Sequence, residues 1–378
     1  MPNILQRRSR SCSVIYQPEE VFNIPSQERQ DLLSEFVQYI GKDSVSAPLW
    51  ACLHACDISK LRVLVESARN GLSQAYLDML ETDTMSLPLQ WVQAQSLSET
   101  SSSSSSSSSD SCTSTCTEVP TSLPSKATTL AGERDGGKCA LARTEPCEVV
   151  HIYPKGLIDS QPEPTISNAV PDFWDLLEIF FDIDHIRRWR REIFRDPFDP
   201  SVPLDGCHNR ICLDHATHDS WIRGSFALRP VAVSEDNKQL TVQFYWQSKP
   251  LHSSFDKVEV LQAPASSKGL IHGDGDMLYI HPDGNAENEY HVSSGDVFVF
   301  RTENPKTHPL PSFELLDMQW HLNRICLMSG VTDILSESQW VSCSTSSDGA
   351  PREMPGVYSW LFDTYWAWTL LKYLYSSK

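Results

Sequence analysis

The 378-residue sequence has no uninterrupted apolar run of the roughly 20 residues a membrane-spanning helix needs. It also has no apolar segment behind its basic start, MPNILQRRSRSCSVIY, and no internal repeat. The missing leader argues against secretion, and with eleven cysteines, an odd number, the thiols are expected to be reduced. The expected location is intracellular, in the nucleus or the cytoplasm. Arg7, Arg8 and Arg10 form a short basic cluster of the kind read as a nuclear signal, and such clusters also occur by chance. The nearest approach to a membrane helix, VYSWLFDTYWAWTLLKYLYS, carries Asp363 and Lys372 and is rich in aromatics. It is expected to form a helical tail, within 336–378, that packs on the rest of the chain or on a partner rather than in a membrane.

Positive charge is scarce. Lysine and arginine number 31 against 49 aspartates and glutamates, a formal net charge of −18. Phosphate neutralisation by cations supplies most non-specific affinity for nucleic acid, so any nucleic-acid face must be local. The candidate is Arg187, Arg188, Arg190, Arg191 and Arg195 in HIRRWRREIFR, with an ordinary solvated helix face as the alternative.

Tight metal-ligand pairs are missing too. Cys52 and Cys56 fall on one helical face but have no further ligands in reach, which favours buried thiols. Cys139, Cys147, Cys207 and Cys212 have gaps of seven and four residues rather than two, which favours free thiols over zinc. The GDGD run at 273–276 lacks the spaced ligands of a calcium loop and reads as a solvated turn.

What is present divides the chain into pieces. A one-face pattern of Leu32, Leu33, Phe36, Val37 and Ile40, stopped by Gly41, opens a helical N-terminal region over 1–95. Further short helices are expected around 48–56, 61–69 and 75–80. Over 96–137 the composition collapses to Ser, Thr and acidic residues, with an unbroken serine run at 101–109. Such a segment cannot bury enough apolar surface to offset its ordering entropy, so a removable linker is expected. After it, Glu148–Ile152 has strand character, Phe173–Phe181 and His185–Phe194 are helical, and Asp196-Pro197 and Asp199-Pro200 break the pattern. Beyond Pro230 the period becomes two, with Leu240, Val242, Phe244 and Trp246 alternating with more polar neighbours. Later strands are expected at 256–261, 277–280 and 296–301, and Ser312 caps a helix ended by Gly330.

Five motifs then occur in order: Cys139; Glu148 to Pro154, EVVHIYP; Phe173-Trp174; Asn209 to Pro230, NRICLDHATHDSWIRGSFALRP; and Pro309 to Trp320, PLPSFELLDMQW. Taken together they resemble the HNH endonuclease family, in the form common among HNH-domain proteins of filamentous fungi, over about half the chain (139–330). The resemblance implies an α+β fold: a ββα-metal core enlarged by a helical insertion and an antiparallel sheet, over 138–335. It implies His151 as the base that activates water, Asn209 as the residue fixing local geometry, and His218 as ligand to one divalent metal, Mg, Mn or Zn. Nucleic acid, DNA in preference, would be the substrate. A histidine suits the base because it titrates near neutral pH.

Two positions depart from the family. Val150 stands where a ligand commonly precedes the base, and Ile222 stands one helical turn after His218, where relatives often carry aspartate. Neither side chain can ligate a cation, so support for His218 would have to come from Glu148, Asp214, His215 or Asp219. Two functions are therefore carried forward: a metal-dependent endonuclease, and a degenerate HNH scaffold that binds nucleic acid or protein without cutting. Convergence of His151, Asn209 and His218 is expected of the first.

Overall fold

A computed structural model of the chain describes residues 19–100, 125–159, 172–273, 275–280 and 290–333. Helices begin where a side-chain oxygen meets the unpaired N–H groups of a first turn. Ser26 accepts from Arg29 N to open α1 (Gln27–Ile40), and Gly41 at φ 67 closes it. After β1 (Ser44–Ser46), every residue of α2 (Ala47–Ala55) is buried, the mark of a helix enclosed on all sides. Around it lie α3 (Ile58–Arg69), α4 (Gln74–Thr84, capped by Ser73) and α5 (Ser86–Thr100).

The stretch expected to be linker ends earlier than its composition suggests. Ser125 caps α6 (Lys126–Asp135), and this helix is built into the fold. The Arg134 side chain is fully buried; it donates to the carbonyls of Cys207, Arg210 and Pro309 and pairs at 2.7 and 2.9 Å with Asp135, which accepts from Cys212 N. The serine run itself lies outside the described residues, as do the basic start and the aromatic tail.

Next come β2 (Glu148–His151), α7 (Lys155–Asp159), α8 (Phe173–Phe180) and α9 (Ile183–Ile193). The Asp-Pro pairs, expected only to break the pattern, shape a hairpin of β3 (Phe194–Asp196) and β4 (Asp199–Pro203). Then β5 (Arg210–Leu213) pairs antiparallel with β2, and α10 (His215–Ile222) follows at once. The alternating stretch forms β6 (Phe226–Val233) and β7 (Gln239–Trp246) around a turn at Ser234–Lys238, with Asn237 at φ 55. After β8 (Lys257–Glu259), β9 (Tyr279–Ile280) and β10 (Tyr290–His291), the strand β11 (Val297–Arg301) completes a three-stranded sheet of order β11–β7–β6. Ser312 accepts from Leu315 N to open α11 (Phe313–Met328), which lies on β6.

The fold is α+β: many helices with small antiparallel sheets. The N-terminal helices are not a separate body. Residues from Leu33 to Met328 share one hydrophobic core, β1 pairs with β8, and Trp91 Nε1 donates to Asn323 Oδ1 at 3.0 Å. Among the described residues, no helix is long and apolar enough to cross a membrane.

Two outcomes follow. Arg134→Ala leaves three buried carbonyls without their donor and a carboxylate without its cation, so denaturant unfolding should show a loss of about 3–5 kcal/mol. His54 is buried on α2 and donates from Nε2 to Val260 O at 3.0 Å; burial outweighs that hydrogen bond and pulls its pKa from 6.5 down to about 4. Because the folded value lies below the unfolded one, the native state resists taking up the proton. Stability should be full above about pH 6.5 and should fall as pH drops toward 4, by an amount on the order of 3 kcal/mol. His54→Gln should remove about one proton from the slope of stability against pH in that window.

Candidate functional site

The β2–β5 ladder sets Glu148 opposite Leu213, Val149 opposite Cys212, Val150 opposite Ile211 and His151 opposite Arg210. It closes across the helical insertion and brings Asn209 beside the chain that follows His151. Asn209 is 1% exposed, and its whole amide is used. Oδ1 accepts from Tyr153 N at 2.7 Å, Nδ2 donates to Tyr153 O at 3.1 Å, and its own carbonyl accepts from Ile152 N at 3.0 Å. This clamp fixes the backbone just past His151.

His151 stands at the end of β2 with Nε2 3.3 and 3.4 Å from the two oxygens of Asp205. Arg210 holds the same carboxylate at 2.6 Å. Burial raises the Asp205 pKa, but the hydrogen bonds and charges of His151 and Arg210 outweigh it and hold the carboxyl well below the usual range. A carboxylate that accepts an imidazole N–H fixes the tautomer and orients the ring. Asp205 was missed from the sequence, because it sits in a loop 54 positions from His151 with no spacing to mark it.

His218 does not join this group. It lies in the first turns of α10, as expected, and its Nδ1 is 3.1 Å from Glu148 Oε2, at the start of β2. Successive side chains on a strand point to opposite faces, so Glu148 and Val150 share one face and His151 takes the other. Three residues of strand rise also put Glu148 about 10 Å along the chain from His151. Asn209 thus lies beside the chain that follows His151, while His218 meets Glu148 at the other end of β2.

The other expected ligands are engaged elsewhere. Asp214 is the N-cap of α10, accepting from Thr217 N at 2.9 Å and from the Thr144 and Thr217 hydroxyls. Asp219 pairs with Arg223, and His215 is exposed, 3.8 Å from Glu148. Val150 and Ile222, the positions without a donor, are both buried in the main core. Among the described residues no group of three metal donors includes Glu148, His151 or His218.

Nor do the four cysteines form one group among the described residues. Cys139 touches Thr217 Oγ1, Cys207 lies against Arg134 and Pro309 O, and Cys212 points to Ala131 O with the Cys147 thiol beside it. Burial pushes the Cys139 thiol up to about 11 and Cys212 higher still, so neither is a ready thiolate.

The arginine helix is mostly occupied. Arg187 pairs with Asp184 and lies over Phe198; Arg188 pairs with Glu314; Arg190 stacks on Trp174 and Phe194. Arg191 and Arg195 are exposed and, among the described residues, have no acidic partner. The expected patch of five free cations reduces to two.

One three-donor group does exist among the described residues, and it is elsewhere: His185 on α9 with Asp317 and His321 on α11. Burial works against charge on His185, but hydrogen bonds to Asp317 and Asp57 raise its pKa to about 9, while burial pulls His321 down to about 4. The sequence signal available was Asp317 and His321 four apart, on a helix read only for its apolar face.

Asn209→Ala should leave the backbone N–H and C=O of Tyr153 buried without partners. A loss of about 1–3 kcal/mol per group is expected in thermal or denaturant unfolding.

Searched against known proteins, the chain matches no family model, no curated protein and no solved structure.

Proposed function

We propose that the region from about Cys139 to Gly330 is an HNH-type strand–strand–helix unit that has lost its metal-binding half and serves as a non-cleaving binding scaffold. The observation that carries this reading is the burial of Val150 and Ile222 in the core: the positions flanking His218 are filled with packing atoms instead of donors. Among the interactions of His218 is one with Glu148, at the start of β2 and on the face away from His151. A divalent ion needs several oxygen or nitrogen ligands at one point, and the phosphate it holds must also meet the base. The net charge of −18 and the pairing of Arg187 and Arg188 with acids favour a protein partner over nucleic acid.

The rival reading, a residual metal-dependent endonuclease, is favoured by one observation. The imidazole of His151 is held by Asp205, as a general base would be.

Plasmid nicking in Mg²⁺ or Mn²⁺ separates the two. The wild-type chain should show no nicking above a His151→Ala control. Nicking that is abolished in His151→Ala would overturn the scaffold reading in favour of the endonuclease. Ile222→Asp should not raise activity, because the new carboxylate would be buried among apolar side chains. Its expected effect is a stability loss of at least about 3 kcal/mol, read by denaturant unfolding.

A further inference from the structure

We propose that His185, Asp317 and His321 bind one divalent first-row transition-metal ion of the zinc class, at a site separate from the His151 region and independent of the function assigned to it. The ligand atoms of the three residues all lie within 4.8 Å of one another. Asp317 and His321 project from the same face of α11, one helical turn apart, and His185 reaches across from α9. The closest approach is His185 Nε2 to Asp317 Oδ2 at 2.6 Å. A zinc ion with bonds of about 2.0–2.2 Å to nitrogen and oxygen needs its ligands only slightly further apart, so it would replace a proton with small side-chain shifts.

What lifts this group above an ordinary buried ion pair is the way its rings are held. Metal-binding histidines usually donate their second ring N–H to a carboxylate or a backbone carbonyl, which fixes the tautomer and the ring plane. Both histidines here do so. His185 Nδ1 lies 3.1 and 3.3 Å from the Asp57 oxygens, and His321 Nδ1 donates to Ala55 O at 3.2 Å. Both acceptors come from one short segment, the junction of α2 and α3. Because a carbonyl only accepts, the His321 proton sits on Nδ1 and leaves Nε2 with its lone pair.

Asp57 is itself fixed, since it also accepts from Asp182 N at 2.8 Å. Asp317 Oδ2 takes a further hydrogen bond from Trp189 Nε1 at 3.1 Å, which orients the carboxylate. The rings of Phe181 and Trp189 pack against both histidines and give the donors an apolar wall. An open cavity of about 560 Å³ borders the group and is lined by His185 and by its hydrogen-bond partner Asp57.

Two imidazoles and one carboxylate select the metal class. Nitrogen donors suit zinc, cobalt, nickel or iron, while magnesium and calcium prefer oxygen sets. Three protein ligands also leave a further coordination position for water or a ligand from the cavity. An ion here would join α9, α11 and the α2–α3 junction.

The test uses the purified full chain, stripped with chelator and titrated with Co²⁺ as the visible probe. One Co²⁺ per chain should bind, with d–d absorption bands that Zn²⁺ displaces. Asp317→Asn and His321→Gln should each weaken binding by about 100-fold or more. Asp57→Asn, which acts through His185, should weaken it about 10- to 100-fold while keeping the bands. His218→Ala should change nothing, which separates this site from the Glu148–His218 pair. Circular dichroism without metal checks that each variant is folded. If a variant is not, carbethoxylation of the wild type decides instead, with protection of His185 and His321 by Zn²⁺ expected by mass spectrometry. The proposal is overturned by three results: no bands at millimolar Co²⁺, bands unaltered in folded Asp317→Asn and His321→Gln, or an absence of protection. Loss of binding in His218→Ala would likewise overturn it, by moving the ion to Glu148.

Discussion

The buried helix α11 carries several polar side chains, and most of them find partners in other parts of the fold. Gln319 Oε1 accepts from Leu228 N on β6, and Asn323 links Trp91 of α5 to the carbonyl of Trp221 on α10. Arg324 donates to Asn23 Oδ1 and to Glu20 O, ahead of α1. Asp317 and His321 meet α9 and the end of α2. Each such bond adds about 1 kcal/mol net, but a buried group left without its partner costs more than that. The arrangement therefore acts as a set of constraints: the N-terminal helices, the insertion and the sheet can each sit only where α11 is satisfied. This is the physical reason that residues on both sides of the low-complexity stretch share one main core.

The same accounting explains the β2–α10 unit. A metal centre there would require donors on the face of β2 that meets α10, and that face is where Val150 packs. Filling it with apolar atoms contributes to the core and leaves no donor at that position, since a side chain cannot both be buried dry and be offered to a cation. On the other face, His151, Asp205 and Arg210 form a polar group that needs no ion to be satisfied, and Asn209 locks the adjoining turn. Asn209 and His151 are held near each other because the ladder from Arg210 to Leu213 pairs with β2.

Much of the fold was legible because it rests on short-range chemistry. The cap at Ser312, the stop at Gly41 and the alternation along β7 all depend on residues within a few positions of each other. Composition misled at α6, where Ala131 is the one fully buried apolar residue and the decisive side chain is an arginine. An amphipathic pattern could not reveal Arg134, because its partners are three carbonyls 73 to 175 positions away.

The sequence by itself determined the α+β content, the positions of the principal helices and strands, and the order of His151, Asn209 and His218, since each follows from periodicity, capping or a motif of local spacing. Tertiary structure alone decided which of those residues meet. Strand pairing placed Asn209 against the turn after His151, while the two-residue period of β2 turned His151 away from Glu148 and His218. It also supplied the partners that no spacing announces: Asp205 for His151, and Asp57 and Ala55 O for the two histidines that flank Asp317. Side-chain identity fixes what a group can donate or accept, but the distance between groups from different elements is set only when the core closes around them.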